Sequence, residues 1–525
     1  MSAVARAYDS DQHIRVIVRQ LSRSAPSRRR RVLGRLAVLA RALDATASKG
    51  ASVPAMLNIL ERELDAGSRH DMWFAISVLT ASLPLEDEVV DAARRGRVEG
   101  LFVALGRYLS PGHGVKRFMP ALVHRTVEVT EDGVLVDVDH TSKVVFATGI
   151  QRVVRETVKR WGRDNDIILV GWTGDRTALR RLSPPEQIQA LTGKTPPQPI
   201  SRLEVFRLRI TSRFRQTIVV PRSGHYVLPE LSLERHSLFR VAALAQFSGN
   251  STSAIGFDAV PISSSETVNF LVSGGFASYL AALKHFDRLS TISFAAASEY
   301  EGWRKMLSGT GIDGPTIGAI ALPSAISQPA NSEDVIARVA NEFNVSGLPL
   351  VLCVGSHEPR KNHLAVLHAA EKLWREGHQF ALLFVGGNSW NSADFTLNLK
   401  ELAQLGRPIR AEKSVSDDEL WALYTLARFT VFPSLNEGFG LPVAESLSTG
   451  TPVLTSNFGA TEEIVARGGA ITVDPRDQTQ ITDGMRKLLD DEELIARLAS
   501  EARGVESTTW DDYASGTWSY LVKDR

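Results

Sequence analysis

The 525-residue sequence predicts an α/β protein of two facing, doubly wound parallel sheets with an all-helical region ahead of them. Three observations carry that prediction. No strand pattern occurs before Thr126. Beyond it, short apolar runs alternate with helix-length segments. The alternation occurs twice, on either side of a Pro-, Ala- and Ser-containing stretch at 323–347 that reads as a hinge. The predicted organisation is a helical region over 1–120, sheet domains over 121–325 and 326–508, and a terminal helix over 509–525 that crosses back to the first sheet domain.

Within the helical region, Ile14, Ile17, Val18 and Leu21 fall at i, i+3, i+4 and i+7, with Arg15 and Arg19 on other faces. Val32, Leu33, Leu36, Leu39 and Leu43 repeat the pattern after Pro26 and the arginines 28–31. Helical segments follow at 54–65, 71–83 and 89–108, and the breaker Ser110-Pro111-Gly112-His113-Gly114 closes what reads as a separate unit. In the first α/β series, strand 134–138, helix 151–161 and strand 167–172 make one βαβ unit, with later strands at 254–262 and 291–296. The second runs through strands 350–354, 380–385, 430–432 and 452–455, with helices at 364–375, 418–427, 442–448 and 481–489. Sheets of this kind bind ligands beyond the carboxyl ends of their strands, so the crevice between the two is where chemistry is expected.

Composition narrows the class. Apolar residues make up 43% and charged residues 23%, a globular mix. The one cysteine, Cys353, excludes an internal disulfide and a cysteine-based zinc site, and its mid-strand position reads as a small core residue. No apolar signal region and no run of about 18 apolar residues is visible, so a cytoplasmic protein is expected, with peripheral contact at the inner membrane face as the one extension. Residues 1–50 hold 11 Lys/Arg against 3 Asp/Glu, while the whole chain is near neutral at +1. That asymmetry suits an anionic surface beside residues 1–50 and argues against nucleic acid as partner of the whole chain. The same segment reads more simply as a bundle whose solvated face is basic, because its apolar stripes lack Trp and Phe before Trp73.

The most informative stretch is Asn436-Glu437-Gly438-Phe439-Gly440-Leu441-Pro442-Val443-Ala444-Glu445, between a strand and a helix. Gly438 and Gly440 let backbone amides approach a ligand, and a helix N-terminus beginning near Leu441 and Pro442 attracts phosphate. Glu437, in the loop and aimed at the crevice, and Glu445, in the first helical turn, repel phosphate and suit neutral hydroxyls. Phosphate-binding amides between two hydroxyl-binding acids describe a nucleotide sugar. Asp137-Val138-Asp139 imitates a metal-binding Asp-x-Asp pair. No metal partner accompanies it, so it reads as strand-end structure with Asp139 lining the crevice.

The Glu-x7-Glu stretch, followed by Gly450-Thr451-Pro452-Val453 and Thr461-Glu462-Glu463, resembles the retaining family 4 glycosyltransferases of the GT-B fold, built from two facing Rossmann-like domains. Val354-Gly355-Ser356-His357-Glu358-Pro359-Arg360-Lys361-Asn362 resembles the turn where that family grips the donor diphosphate. Thr148-Gly149-Ile150-Gln151-Arg152 is similar to its N-terminal glycine loop. The resemblance runs from about Val134 to Trp510.

It implies sugar transfer from a nucleotide-diphosphate donor to a glycan or lipid-linked glycan acceptor, in polysaccharide or glycolipid synthesis. Residues 121–325 would be the acceptor-side domain and 326–508 the donor domain. By that match Arg360, Lys361 and Glu437 would be catalytic, and Gly149, Gly355, Ser356, Asp258, Gly438, Phe439, Gly440, Leu441 and Glu445 would bind the donor, with Glu445 on the ribose. No metal and no cofactor is expected, because two fixed cations and a helix end would carry the leaving diphosphate. The resemblance also shows a departure: where many members carry a His before an acid, this chain has Phe257 before Asp258. Two alternatives stay open: a GT-B-like epimerase or hydrolase, and a non-catalytic scaffold.

Overall fold

The structure is a computed structural model that describes residues 3–48, 50–109, 124–144, 149–194, 215–323, 333–343, 347–504 and 508–523. Six helices come first: α1 (Ala3–Ser22), α2 (Pro26–Leu43), α3 (Val53–Glu63), α4 (Arg69–Thr80), α5 (Glu86–Glu99) and α6 (Leu101–Leu109). The predicted segment 89–108 is two helices because Gly100, at φ 94°, breaks it. The apolar stripe of α1 faces inward: Ile14, Ile17 and Leu21 are buried, and α1 packs on α3 and α6.

The helices are not the separate unit that the sequence suggests. Trp73, Phe74 and Leu79 share one continuous core with Ile218, Val220 and Leu238 of the neighbouring sheet domain. Arg125, on a strand, bonds Ala81 O at 3.3 Å, and Leu83 N bonds Thr177 O at 2.8 Å. A sheet apolar on both faces needs a layer on each, and the helices supply one of them. The breaker at 110–114 lies outside the described residues.

The first sheet domain contains β1 (His124–Glu131), β2 (Val134–Asp137), α7 (Gly149–Asp164), β3 (Ile167–Trp172), β4 (Leu179–Arg181), α8 (Pro184–Thr192), β5 (Arg215–Arg222) and β6 (His225–Leu228). It continues through α9 (Arg235–Phe247), β7 (Ser251–Gly256), α10 (Val260–Ser263), α11 (Phe270–Leu283), β8 (Arg288–Thr291), α12 (Phe294–Ser308) and β9 (Thr316–Ala319). Strand order is β1-β5-β4-β3-β2-β6-β7-β8-β9, parallel except for β4. Two strand predictions are corrected here. The 254–262 strand stops at Gly256, and Pro261 sits in the short helix α10 instead. The 291–296 strand stops at Thr291, because Ser293 Oγ accepts from Ala296 N and caps α12.

In the predicted hinge, α13 (Glu333–Glu342) is a helix that packs on the second domain through buried Val339. That domain has β10 (Leu350–Val354), α14 (His363–Arg375), β11 (Ala381–Val385), α15 (Ala393–Gln404), β12 (Ile409–Glu412), α16 (Asp417–Leu426), β13 (Phe429–Phe432) and α17 (Leu441–Ser448). β14 (Val453–Ser456), α18 (Gly459–Val465), β15 (Ala470–Val473), α19 (Gln478–Asp490) and α20 (Glu492–Arg503) complete it. Its six strands, ordered β12-β11-β10-β13-β14-β15, are all parallel. Cys353 lies inside β10, and burial pushes its thiol up to about 12, so it is a core residue and no nucleophile. The terminal helix α21 (Trp510–Trp518) lies on α7: Trp161 Nε1 donates to Ala514 O at 2.8 Å, and Trp161 and Trp518 rings are 5.5 Å apart.

Candidate active site

Arg360 and Lys361 stand on a 3₁₀ turn, Pro359–Lys361, between β10 and α14. The chain leaves β10 through Gly355 at φ 149°, and a Cβ on Gly386 would lie 2.0 Å from the Gly355 carbonyl. Glycine at 386 is therefore what allows the ends of β10 and β11 to meet. Ser356 Oγ lies 3.2 Å from Glu358. Arg360 pairs with Glu358 at 2.8 Å and with Glu437 at 2.8 Å, and donates to Asn436 O at 2.6 Å. Lys361 Nζ is 2.5 Å from Glu437 and 4.7 Å from the centre of the Phe432 ring.

Glu437 thus does not project into an open crevice as the sequence suggests. Its side chain, 9% exposed, is folded onto the two cations and also accepts from Ser434 Oγ at 2.6 Å. Buried cations require a counter-charge, and Glu437 supplies it. Burial alone would raise its carboxyl, but Arg360 and Lys361 outweigh burial and hold it at about 2. Burial likewise lowers Lys361 against the pull of Glu437.

The glycine loop touches the first domain. A Cβ on Gly438 would lie 2.8 Å from Asp258 Oδ2 and 2.9 Å from Phe257 O. Ser293 Oγ donates to Gly438 O at 2.7 Å, and Asn436 Nδ2 donates to Ser263 Oγ at 3.0 Å. Phe257 and Phe439 are buried. Burial raises the Asp258 carboxyl to about 6, against the pull of Arg360 and with Glu299 and Glu437 adding to the rise. Gly440, at φ 107°, is the N-cap of α17, so the helix starts at Leu441 and Pro442 is its second residue. For the same reason Glu445 falls in the second turn and not the first, on the inward face, where it is 5% exposed.

Glu445 Oε2 accepts from Tyr424 OH at 2.8 Å, and Oε1 accepts from Arg152 Nη1 at 2.6 Å. Burial raises Glu445, while Arg152 and Tyr424 favour its charged form. Arg152 belongs to the first domain. It stands on α7, which Gly149 opens, and a Cβ on Gly149 would be 3.5 Å from Leu441 Cδ1. Thr148, just before it, lies outside the described residues. Two helix N-termini, α7 and α17, therefore meet across the cleft, each favouring an anion. On the far side, Glu463 accepts from the α12 amides of Phe294 and Ala295 at 3.0 and 2.5 Å.

The predicted residues Arg360, Lys361, Glu437, Gly438, Phe439, Gly440, Leu441 and Glu445 gather around the start of α17, with Gly355, Ser356, Asp258 and Gly149 on its borders. Arg152, Tyr424, Gly386, Ser293 and Glu463 also border this cluster without having been predicted as site residues, although Glu463 stood in the Thr461-Glu462-Glu463 motif. Arg152 carried a signal, closing the Gly149 motif; Tyr424 carried none. Among the described residues, no group of three or more His, Cys, Asp or Glu is placed to hold a metal ion.

Residues 338–505 match the family model Glycosyl transferases group 1. The serotype-specific mannosyltransferase WbdA of Escherichia coli is 29% identical over 250 residues, 46% of this chain and 29% of that protein. The O-antigen chain mannosyltransferase B of Escherichia coli is 32% identical over 183 residues, 34% of this chain and 47% of that protein. The chain thus spans less than half the length of these relatives. Among solved structures, Anabaena Alr3699/HepE in complex with UDP and glucose superposes with a TM-score of 0.50 at 12% identity, covering 74% of this chain and 96% of that one. The Candida albicans trehalose-6-phosphate phosphatase N-terminal domain gives 0.51 at 12% identity, covering 77% and 97%. Residues 338–505 thus carry a Glycosyl transferases group 1 domain, and the chain shares the two-lobed fold of these solved structures.

Proposed function

We propose that the chain transfers a sugar from a nucleotide-diphosphate donor to a hydroxyl of a glycan or lipid-linked glycan, with retention at the anomeric carbon and without a metal ion. The observation that carries this is the convergence of Lys361, Arg360 and Glu437 on the loop that opens α17, with Glu445 one turn further on. The diphosphate takes the place of the Glu437 carboxylate on Lys361 and Arg360, and the α17 amides add their dipole. Freed from the cations, Glu437 meets hydroxyls of the donor sugar, while Glu445 receives those of the ribose. The departing phosphate oxygen takes the proton of the incoming hydroxyl on the same face of the sugar ring. The protein stabilises the leaving charge and holds both substrates in register. The mannosyltransferase names of the relatives point to a mannosyl donor and to O-antigen-like polysaccharide.

Incubation with labelled UDP-, GDP-, dTDP- and ADP-sugars, with and without acceptor glycan, tests the reading. Acceptor-dependent glycoside formation is expected; release of free sugar or an epimer alone would overturn it. Contact with an anionic membrane is the remaining part of the proposal. Because the α1 stripe is buried, such contact runs through exposed basic side chains such as Arg29 and Arg30. Binding to anionic vesicles that survives R29E/R30E unchanged removes it. No helix among the described residues is long and apolar enough to cross a membrane.

A further inference from the structure

The first lobe holds a second group of charged side chains that donor binding does not use, at the carboxyl ends of β2, β3 and β6. Asp139, just beyond β2, accepts from Lys143 Nζ at 2.5 Å, from the guanidinium of Arg176, and from Trp172 N at 2.8 Å. The Asp139 side chain is only 8% exposed, whereas those of Lys143 and Arg176 stay open at 43% and 30%. Arg176 is held at φ 57°, a left-handed backbone that long side chains rarely adopt.

The support beneath is buried and fully bonded. Glu230, after β6, accepts from His140 N at 2.7 Å, Thr141 N at 2.9 Å and Thr141 Oγ1 at 2.7 Å, which pins the loop that leaves β2. Asp137 accepts from Trp172 Nε1 at 2.8 Å and Tyr226 OH at 2.7 Å. Burial pushes Asp137 up to about 6 and Glu230 up to about 8, while Lys143 and Arg176 overcome burial at Asp139 and hold it low. Of these three carboxyls, Asp139 is the one bonded to both cations, while Asp137 and Glu230 hold Trp172, Tyr226 and the 140–141 backbone.

This group lies on the cleft edge. β2, β3, β6 and β7 run parallel in one sheet, and the carboxyl end of β7 leads to Asp258, against the Gly438 loop of the other lobe. The arrangement repeats the donor side, where the Glu437 carboxylate bridges Lys361 and Arg360.

We propose that Lys143 and Arg176 form an anion subsite on the acceptor side of the cleft, which takes a phosphate group carried by the acceptor. This rests on the glycosyltransfer reading, which makes the first lobe the acceptor side. A phosphate monoester, near −2 at neutral pH, matches two cations better than a singly charged carboxylate does, and the planar guanidinium suits its paired oxygens. Asp139 is the counter-charge of Lys143 and Arg176, as Glu437 is of Lys361 and Arg360 across the cleft. None of these residues pairs with Arg360, Lys361, Glu437 or Glu445, so their substitution is expected to leave nucleotide affinity unchanged.

The test uses the full chain saturated with whichever of UDP, GDP, dTDP or ADP stabilises it most against heat, so that the donor cations are occupied. Mannose and mannose 6-phosphate are then titrated by calorimetry into the unaltered protein and into Lys143→Gln and Arg176→Gln. The phosphate ester is expected to bind at least about tenfold tighter than the free sugar, and each variant to lose most of that advantage with nucleotide affinity unchanged. Equal binding of sugar and ester, or an advantage that both variants keep, overturns the proposal. Lys143 is half exposed, so Lys143→Gln gives the answer even if Arg176→Gln fails to fold. Phosphatidylcholine vesicles with and without phosphatidic acid distinguish the source. Retention on the acidic vesicles that Lys143→Gln abolishes assigns a lipid-borne phosphate, and binding of the soluble ester alone assigns a soluble one. Failure of every nucleotide to bind would instead sink the glycosyltransfer reading and leave the ester titration to be judged by itself.

Discussion

Most charged side chains of the second lobe's site come from two short stretches, 356–361 and 434–445, each spanning a strand-to-helix turn, with Glu463 of α18 added from a third. Those of the first lobe come from five, around 137–143, Arg152, 172–176, 226–230 and Asp258, and are joined only by the sheet. The cores differ in the same sense. Part of the second lobe has a core of its own, with Leu367, Phe384 and Phe429 at its centre, whereas the first lobe shares one with six helices. A site written in one turn survives as a readable motif. A site assembled from strand ends leaves single residues scattered along the chain.

The sharpest way to break this comparison is to remove the donor-side cation. Lys361→Ala is expected to lower the transfer rate by about 10²–10³, the usual cost of losing a preorganised partner of a leaving group. Steady-state kinetics with saturating donor measure it, and a loss smaller than that of Lys143→Gln would reverse the roles of the lobes. Gly438→Ala comes next. Its Cβ would collide with Asp258 and the Phe257 carbonyl, so the lobes could not close, and kcat/KM should fall by about 10² with little change in Tm.

Glu445→Gln should weaken nucleotide binding by about ten- to a hundredfold, the range of a hydrogen bond to a charged group, as read by calorimetry. Arg152→Gln separates the lobes' contributions, since it removes the cross-cleft partner and leaves Tyr424 in place. A smaller effect is expected in acid. The ordinary Glu value is 4.5 and Glu437 is held at about 2, so its contribution to stability is complete above about pH 5 and lost as pH falls through the folded value. Melting midpoints between about pH 5 and 3 should therefore fall less steeply in Glu437→Gln than in the unaltered protein. The smallest effect expected is at the crossing helix. Thr509 and Asp512 cap α21 reciprocally, and Thr509→Ala should cost about 1 kcal/mol in denaturant unfolding without changing nucleotide affinity.

Much of the second lobe was legible because each element obeys a local rule. β10 matches the predicted 350–354, and α14 starts one residue before the predicted 364. In the first lobe, β6 carries only four residues, all buried, too few to show a period. The 291–296 reading failed where the cap at Ser293 outweighed an apolar run. Glu437 and Glu445 were visible by spacing, yet their partners were not, because Lys361 is 76 residues from Glu437 and Arg152 is 293 from Glu445.

The sequence by itself determined the alternation of strands and helices, the glycines that allow close backbone approach, and the acids and cations that the proposed donor site uses. Those features depend on conformations and spacings within a dozen residues. Only the tertiary structure decided that the helical region covers the first sheet, that Glu437 neutralises Arg360 and Lys361, and that Arg152 reaches Glu445 from the opposite lobe. Burial is the reason: removing charges from water forces each to find a partner, and the nearest partner in space is set by packing rather than by position in the chain.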